Sequence, residues 1–79
     1  MELHIIYTET DMVLSNERFD SWRQIQDQYS SYKASLGPWQ EDAVIEYLES
    51  EYSSLMPSAA SQVAAFLKSG APTSVLTFQ

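Results

Sequence analysis

Asp42, Glu46 and Glu49 recur at steps of four and three residues within EDAVIEYLESEY, residues 41–52, a stretch with five acids and no base. On a helix this spacing sets the three carboxylates in one row, with Ser53 continuing it, about 4.5–6 Å apart along the axis. Phosphates of one DNA strand recur about every 3.4 Å, so the two spacings are of the same order. Like charges at these positions cost a helix roughly 0.2–0.5 kcal/mol per pair. A face kept only for solubility more often mixes both signs, as Asp20, Arg23 and Asp27 do here. From Ala34 to Leu67 there is no basic residue to relieve the row. Trp39 and Tyr47 flank it, and Tyr47 projects about 60° outside the apolar stripe of the same helix. Tyr and Trp are frequent anchors of protein interfaces. The candidate partner-binding set is therefore Trp39, Asp42, Glu46, Tyr47, Glu49 and Glu51, with Glu9, Asp11 and Glu17 extending the field. The bland alternative is that net charge simply keeps a small acidic protein dissolved.

Other chemistry finds little support. A nucleophilic triad needs a base beside its nucleophile, and His4, the only histidine, falls in a half-buried strand. Cysteine is absent, which removes thiolate metal sites and disulfides. Glu9 and Asp11 offer two oxygens where calcium takes six or more. Gly37 and Gly70 are the only glycines and each reads as a helix stop, so no phosphate-cradling loop is expected. Glu46 and Glu49 lack a pocket that would push their pKa values apart. No enzyme activity, metal or cofactor is expected.

Seventy-nine residues allow one domain, 1–79, near the size at which a single core barely offsets chain entropy. Eleven acids face four bases, a net charge of −7. Direct binding of nucleic acid or of an anionic membrane is disfavoured, whereas a basic protein or nucleoprotein complex is electrostatically welcome. No apolar run approaches the roughly 20 residues of a membrane span, and the N-terminus lacks the pattern of a signal peptide. The expected location is the cytoplasm.

The elements that must position these residues follow from periodicity. Residues 3–8 alternate as a strand, with Leu3, Ile5 and Tyr7 on one face, and 12–15 read as the return strand of a hairpin. Ser15 or Asn16 can cap a helix in which Trp22, Ile25, Tyr29, Tyr32 and Leu36 form an aromatic seam ended by Gly37. Pro38 suits the first turn of a second helix that buries Val44, Ile45, Leu48, Tyr52 and Leu55. Ser58 caps a third, Ala59 to Ser69, with Val63, Phe66 and Leu67 inward, Lys68 in its last turn and Gly70 beyond. Residues 74–78 read as a final strand. Apolar residues on both faces of the terminal strands suggest that both lie inside the sheet. The expected architecture is α+β, three helices on one face of a two- to three-stranded sheet, in the order β-β-α-α-α-β.

No family motif is matched residue by residue. Size and charge suit a non-enzymatic inhibitor that docks on a basic, nucleic-acid-binding surface, the job of phage anti-CRISPR and anti-restriction proteins and of nuclease inhibitors. The alternative is a structural or adaptor subunit that homodimerises or assembles through exposed aromatics.

Overall fold

A computed structural model describes residues 2–78. The order along the chain is β1 (Glu2–Thr8), β2 (Met12–Ser15), α1 (Trp22–Gln28), β3 (Tyr32–Gln40), α2 (Glu41–Glu51), α3 (Ala59–Ser69) and β4 (Thr73–Val75). The fold is α+β, as its patterning implies, with four strands in the spatial order β3-β1-β2-β4 and every pairing antiparallel.

Alternation along β1 and β2 explains the layers. Leu3 and Ile5 of β1, with Met12 and Leu14 of β2, face a core completed by Val44, Leu48, Val63 and Phe66 from α2 and α3. Ile6 and Val13, one residue out of phase, point to the opposite face and meet Ile25 of α1. Helices thus cover both faces of the sheet rather than one. Apolar residues on both sides of β1 are satisfied because it lies inside the sheet; β4 forms an edge instead, against the expectation for the C-terminal strand.

The principal departure from periodicity concerns residues 17–40. One long helix was expected to run to Leu36; the chain instead makes seven helical residues, leaves the helix at Tyr29 and enters a nine-residue strand. Ser30 and Ser31 at the break are weak helix formers whose hydroxyls compete for backbone groups. β1, inside the sheet, also needs a hydrogen-bonding partner on its outer side, which β3 provides through pairs such as Ile5 with Leu36 and Tyr7 with Ala34. Trp22, expected in the seam, is 54% exposed.

Two irregularities let β3 serve both faces. Between the pairs Leu3–Trp39 and Ile5–Leu36, β3 carries two residues where β1 carries one; between Tyr7–Ala34 and Thr8–Tyr32 it carries Lys33 where β1 carries none. Each bulge shifts the alternation by one step. Leu36 and Trp39 therefore pack toward α2, while Tyr32 joins the α1 side. Gly37, expected to end a helix, sits in the first bulge at φ +118°, where a β-carbon would come within 2.6 Å of the Leu3 carbonyl oxygen. Only glycine fits there. Pro38 likewise lies in the strand and not in a helix; without an N–H it blunts an edge that could otherwise recruit another chain.

α3 follows its sequence signals closely, whereas α2 ends at Glu51, so that Tyr52 caps it and Leu55, expected in its stripe, lies beyond it in a bridge with Phe78. Ser58 caps α3 by accepting from the Ser61 N–H at 3.3 Å, and Gly70 closes it in the left-handed conformation. The final strand is shorter than expected: β4 ends at Val75, and beyond it Leu76 is buried while Leu55 and Phe78 form a single bridge. This tail is clipped by Gln62, whose amide donates to the Pro57 and Thr77 carbonyls and accepts from the Thr77 N–H.

Candidate protein-binding surface on α2

α2 begins directly after β3, with no connecting loop, so the strand fixes its start and direction. Val44 and Leu48 are fully buried and pin its inner side to the sheet. At about 100° per residue, Asp42, Glu46 and Glu49 fall within roughly 60° of one another on the far side. All three are exposed. The packing that buries the inner stripe thus holds the carboxylate row in place. Glu41 and Asp42 stand in the first turn, where the helix dipole favours acids, and the Asp42 carboxylate accepts from the Ala43 N–H at 2.9 Å. Glu51 is also exposed but lies about 140° around the helix from Glu46, so it stands apart from the row.

The bases lie elsewhere. Lys33, at the opposite end of β3 from α2, is separated from Glu41 by about 25 Å of extended chain. The Arg23 guanidinium lies 5.5 Å from the Trp22 ring centre, on the α1 side of the sheet. Lys68 sits in the last turn of α3.

Trp39 was expected at a helix start and is found instead at the penultimate position of β3, half-buried opposite Leu3. Its ring meets that of Tyr47 edge-on at 5.4 Å. With Ala43, Glu46 and Ser50 the two rings line a shallow cavity of about 310 Å³. Glu46 belongs both to this cavity and to the carboxylate row, so the acidic and aromatic parts of the surface are contiguous. Tyr47 is less free than its place on the helical wheel suggests. Its hydroxyl lies 2.9 Å from that of Tyr7, which is also 3.2 Å from the Tyr52 hydroxyl. The Tyr52 ring in turn meets Tyr47 at 6.3 Å and Phe78 at 5.9 Å. Tyr47 therefore presents a ring whose polar end is already satisfied.

Tyr7 is the residue whose part sequence reasoning missed. Burial, and then hydrogen bonding to Tyr47 and Tyr52, pushes its phenol far above the usual range, so it remains a neutral hub joining β1 to α2. Its position on the Leu3 and Ile5 face was the available signal; which tyrosines it would meet was not.

His4 is buried, as its strand position implied, and points to the other side of the sheet from α2, against Phe19. Glu9 and Asp11 lie beyond the far end of β1, away from His4. Among the described residues no group of three or more His, Asp or Glu side chains could hold a metal ion, and no helix is long and apolar enough to cross a membrane.

No protein-family model, curated protein or solved structure matches the chain.

Proposed function

We propose that this protein is a non-enzymatic inhibitor that docks the outer face of α2 on a basic surface of a partner protein, one built to hold nucleic acid. The observation carrying this reading is the coincidence, where β3 runs directly into α2, of the row of Asp42, Glu46 and Glu49 with the Trp39–Tyr47 cavity that shares Glu46. The row steers association and competes with phosphates for the partner's lysines and arginines. The aromatic cavity adjoining it provides desolvated contact that slows release. Anti-restriction, anti-CRISPR and nuclease-inhibiting proteins of phages and mobile elements are the class of molecule with this job.

The test is capture of partners from a cell lysate on the immobilised protein, followed by elution with duplex DNA. Basic proteins released by DNA and by salt are expected, and the Asp42→Lys/Glu46→Lys/Glu49→Lys variant should retain none of them. The same proteins held equally by that variant would overturn the proposal. Stability gives an independent readout. Glu46→Lys alone converts two like-charge pairs into opposite ones, so it should stabilise the free protein by about 1–2 kcal/mol while weakening capture.

A second reading is self-association, favoured by Met56, Val75 and Phe78, apolar residues 57%, 52% and 42% exposed near the β4 edge. Sedimentation at two concentrations separates them: a concentration-independent monomer supports the inhibitor, and a tight dimer supports the subunit.

A further inference from the structure

A cavity of about 620 Å³ lies on the side of the sheet away from α2, apart from the α2 surface. It exists because α1 is too short to cover that face. Seven helical residues span about 10 Å, whereas a seven-residue strand spans about 23 Å. α1 therefore covers Ile6 and Val13 and leaves the start of β1 under the segment that follows β2.

The floor of this groove holds His4, only 7% exposed. Among the described residues no group hydrogen-bonds its imidazole, which lines the groove, and neither ring nitrogen is sealed from solvent without a partner. Burial also lowers the pKa of His4, with Glu2 opposing, so the ring is neutral at pH 7 and carries one acceptor nitrogen.

Three carboxylates, Glu2, Glu17 and Asp20, line the groove with it, against one cation, Arg18. Two of the three are held in place: Glu17 Oε1 accepts from the Gln28 amide at 2.8 Å, and Asp20 Oδ2 from the Gln24 amide at 3.3 Å. Their second oxygens make no hydrogen bond among the described residues. Phe19 adds an aromatic wall, 5.2 Å from the His4 ring centre and nearly perpendicular to it.

The occupant must supply several donors, carry positive charge and tolerate an aromatic neighbour. A metal ion is disfavoured because the acids and His4 do not converge on a point. An ammonium group supplies three donors and is strongly hydrated, whereas a guanidinium is planar, weakly hydrated, carries five donors in a fork and stacks on aromatic rings. We propose that the groove over His4 is a receptor for the guanidinium of an arginine side chain, which binds the carboxylates of Glu17 and Asp20, donates to the imidazole of His4 and packs on Phe19. This site is separate from the α2 surface and does not depend on it.

The probe is Nα-acetyl-arginine methylamide, followed by NMR at the His4 ring and the Phe19 side chain, with the lysine counterpart as control. Saturable shifts at both residues are expected, with affinity about tenfold above that of the lysine compound. Glu17→Gln with Asp20→Asn should weaken binding by about tenfold or more. Both substitutions keep the size of residues outside the buried core, and the amide spectrum verifies the fold. Absence of saturable shifts, equal affinity for the lysine compound, or undiminished binding by the double variant would each overturn the proposal. An arginine pentapeptide flanked by alanines distinguishes the source: tighter binding than the blocked amino acid assigns the groove to a protein partner, and weaker binding confines it to free guanidinium compounds and overturns the arginyl receptor.

Discussion

The two faces of the sheet divide the work of this protein unequally. Among the described residues, the side toward α2 and α3 gathers eleven buried residues in one cluster, from Leu3 to Leu76. Among the same residues, the side toward α1 gathers three, Ile6, Val13 and Ile25, with Phe19, Tyr29 and Tyr32 half-buried around them. Both faces descend from the same alternating strands, so the difference lies in what each strand face was given to pack against. A domain this small cannot bury both faces to the same depth. The first face supplies stability and holds α2 rigid enough to present a charged row. The second, lightly covered, leaves room for a groove.

Truncation in each cluster tests that division most directly. Leu48→Ala, in the larger cluster, should cost about 2–5 kcal/mol, a large share of the stability of a domain of this size. Ile25→Ala should cost less, at the low end of that range, because α1 can shift to close the gap. Urea unfolding followed by circular dichroism measures both. Equal losses would show that the two faces are energetically equivalent.

Gly37→Ala probes the backbone between the faces. Its positive φ and the approach of the Leu3 carbonyl oxygen predict a loss of about 1–3 kcal/mol. Amide exchange should show the loss as earlier opening of β3 than of α3. Uniform opening would mean that β3 and α3 unfold as one unit.

The smallest expected effect is at the margin of the larger cluster. Tyr7→Phe removes two hydroxyl contacts and should cost about 1–2 kcal/mol. Because the phenol of Tyr7 is raised in the folded state, its contribution is full below the unfolded value near 10 and is lost progressively as pH rises above it. Tyr29, also raised, chiefly by burial, acts in the same direction from the other face. An alkaline titration of stability should therefore flatten in Tyr7→Phe, and flatten further with Tyr29→Phe. An unchanged alkaline slope would remove Tyr7 as the hub.

How much of this was legible beforehand varies along the chain. α3 could be read to its last residue because Ser58, Lys68 and Gly70 are local signals that act within one turn. The stripe of α2 was equally plain, with Val44 and Leu48 inward and Asp42, Glu46 and Glu49 outward. The 17–40 region misled because Trp22, Ile25, Tyr29, Tyr32 and Leu36 fit a helical period by spacing alone. In the strand, bulges at Lys33 and at Gly37–Pro38 reset the alternation, so the same residues distribute over two faces with no simple period.

Local order thus determined the class of fold, the caps of α3 and the carboxylate row, because each depends on residues a few positions apart. Tertiary structure decided that Tyr32 to Gln40 is a strand, that Tyr7 meets Tyr47 and Tyr52, and that His4 shares a groove with Glu17 and Asp20. Those outcomes depend on the unmet hydrogen bonds of β1 and on which surfaces remained to be covered after α2 and α3 had packed. Neither is a property of any short stretch of chain.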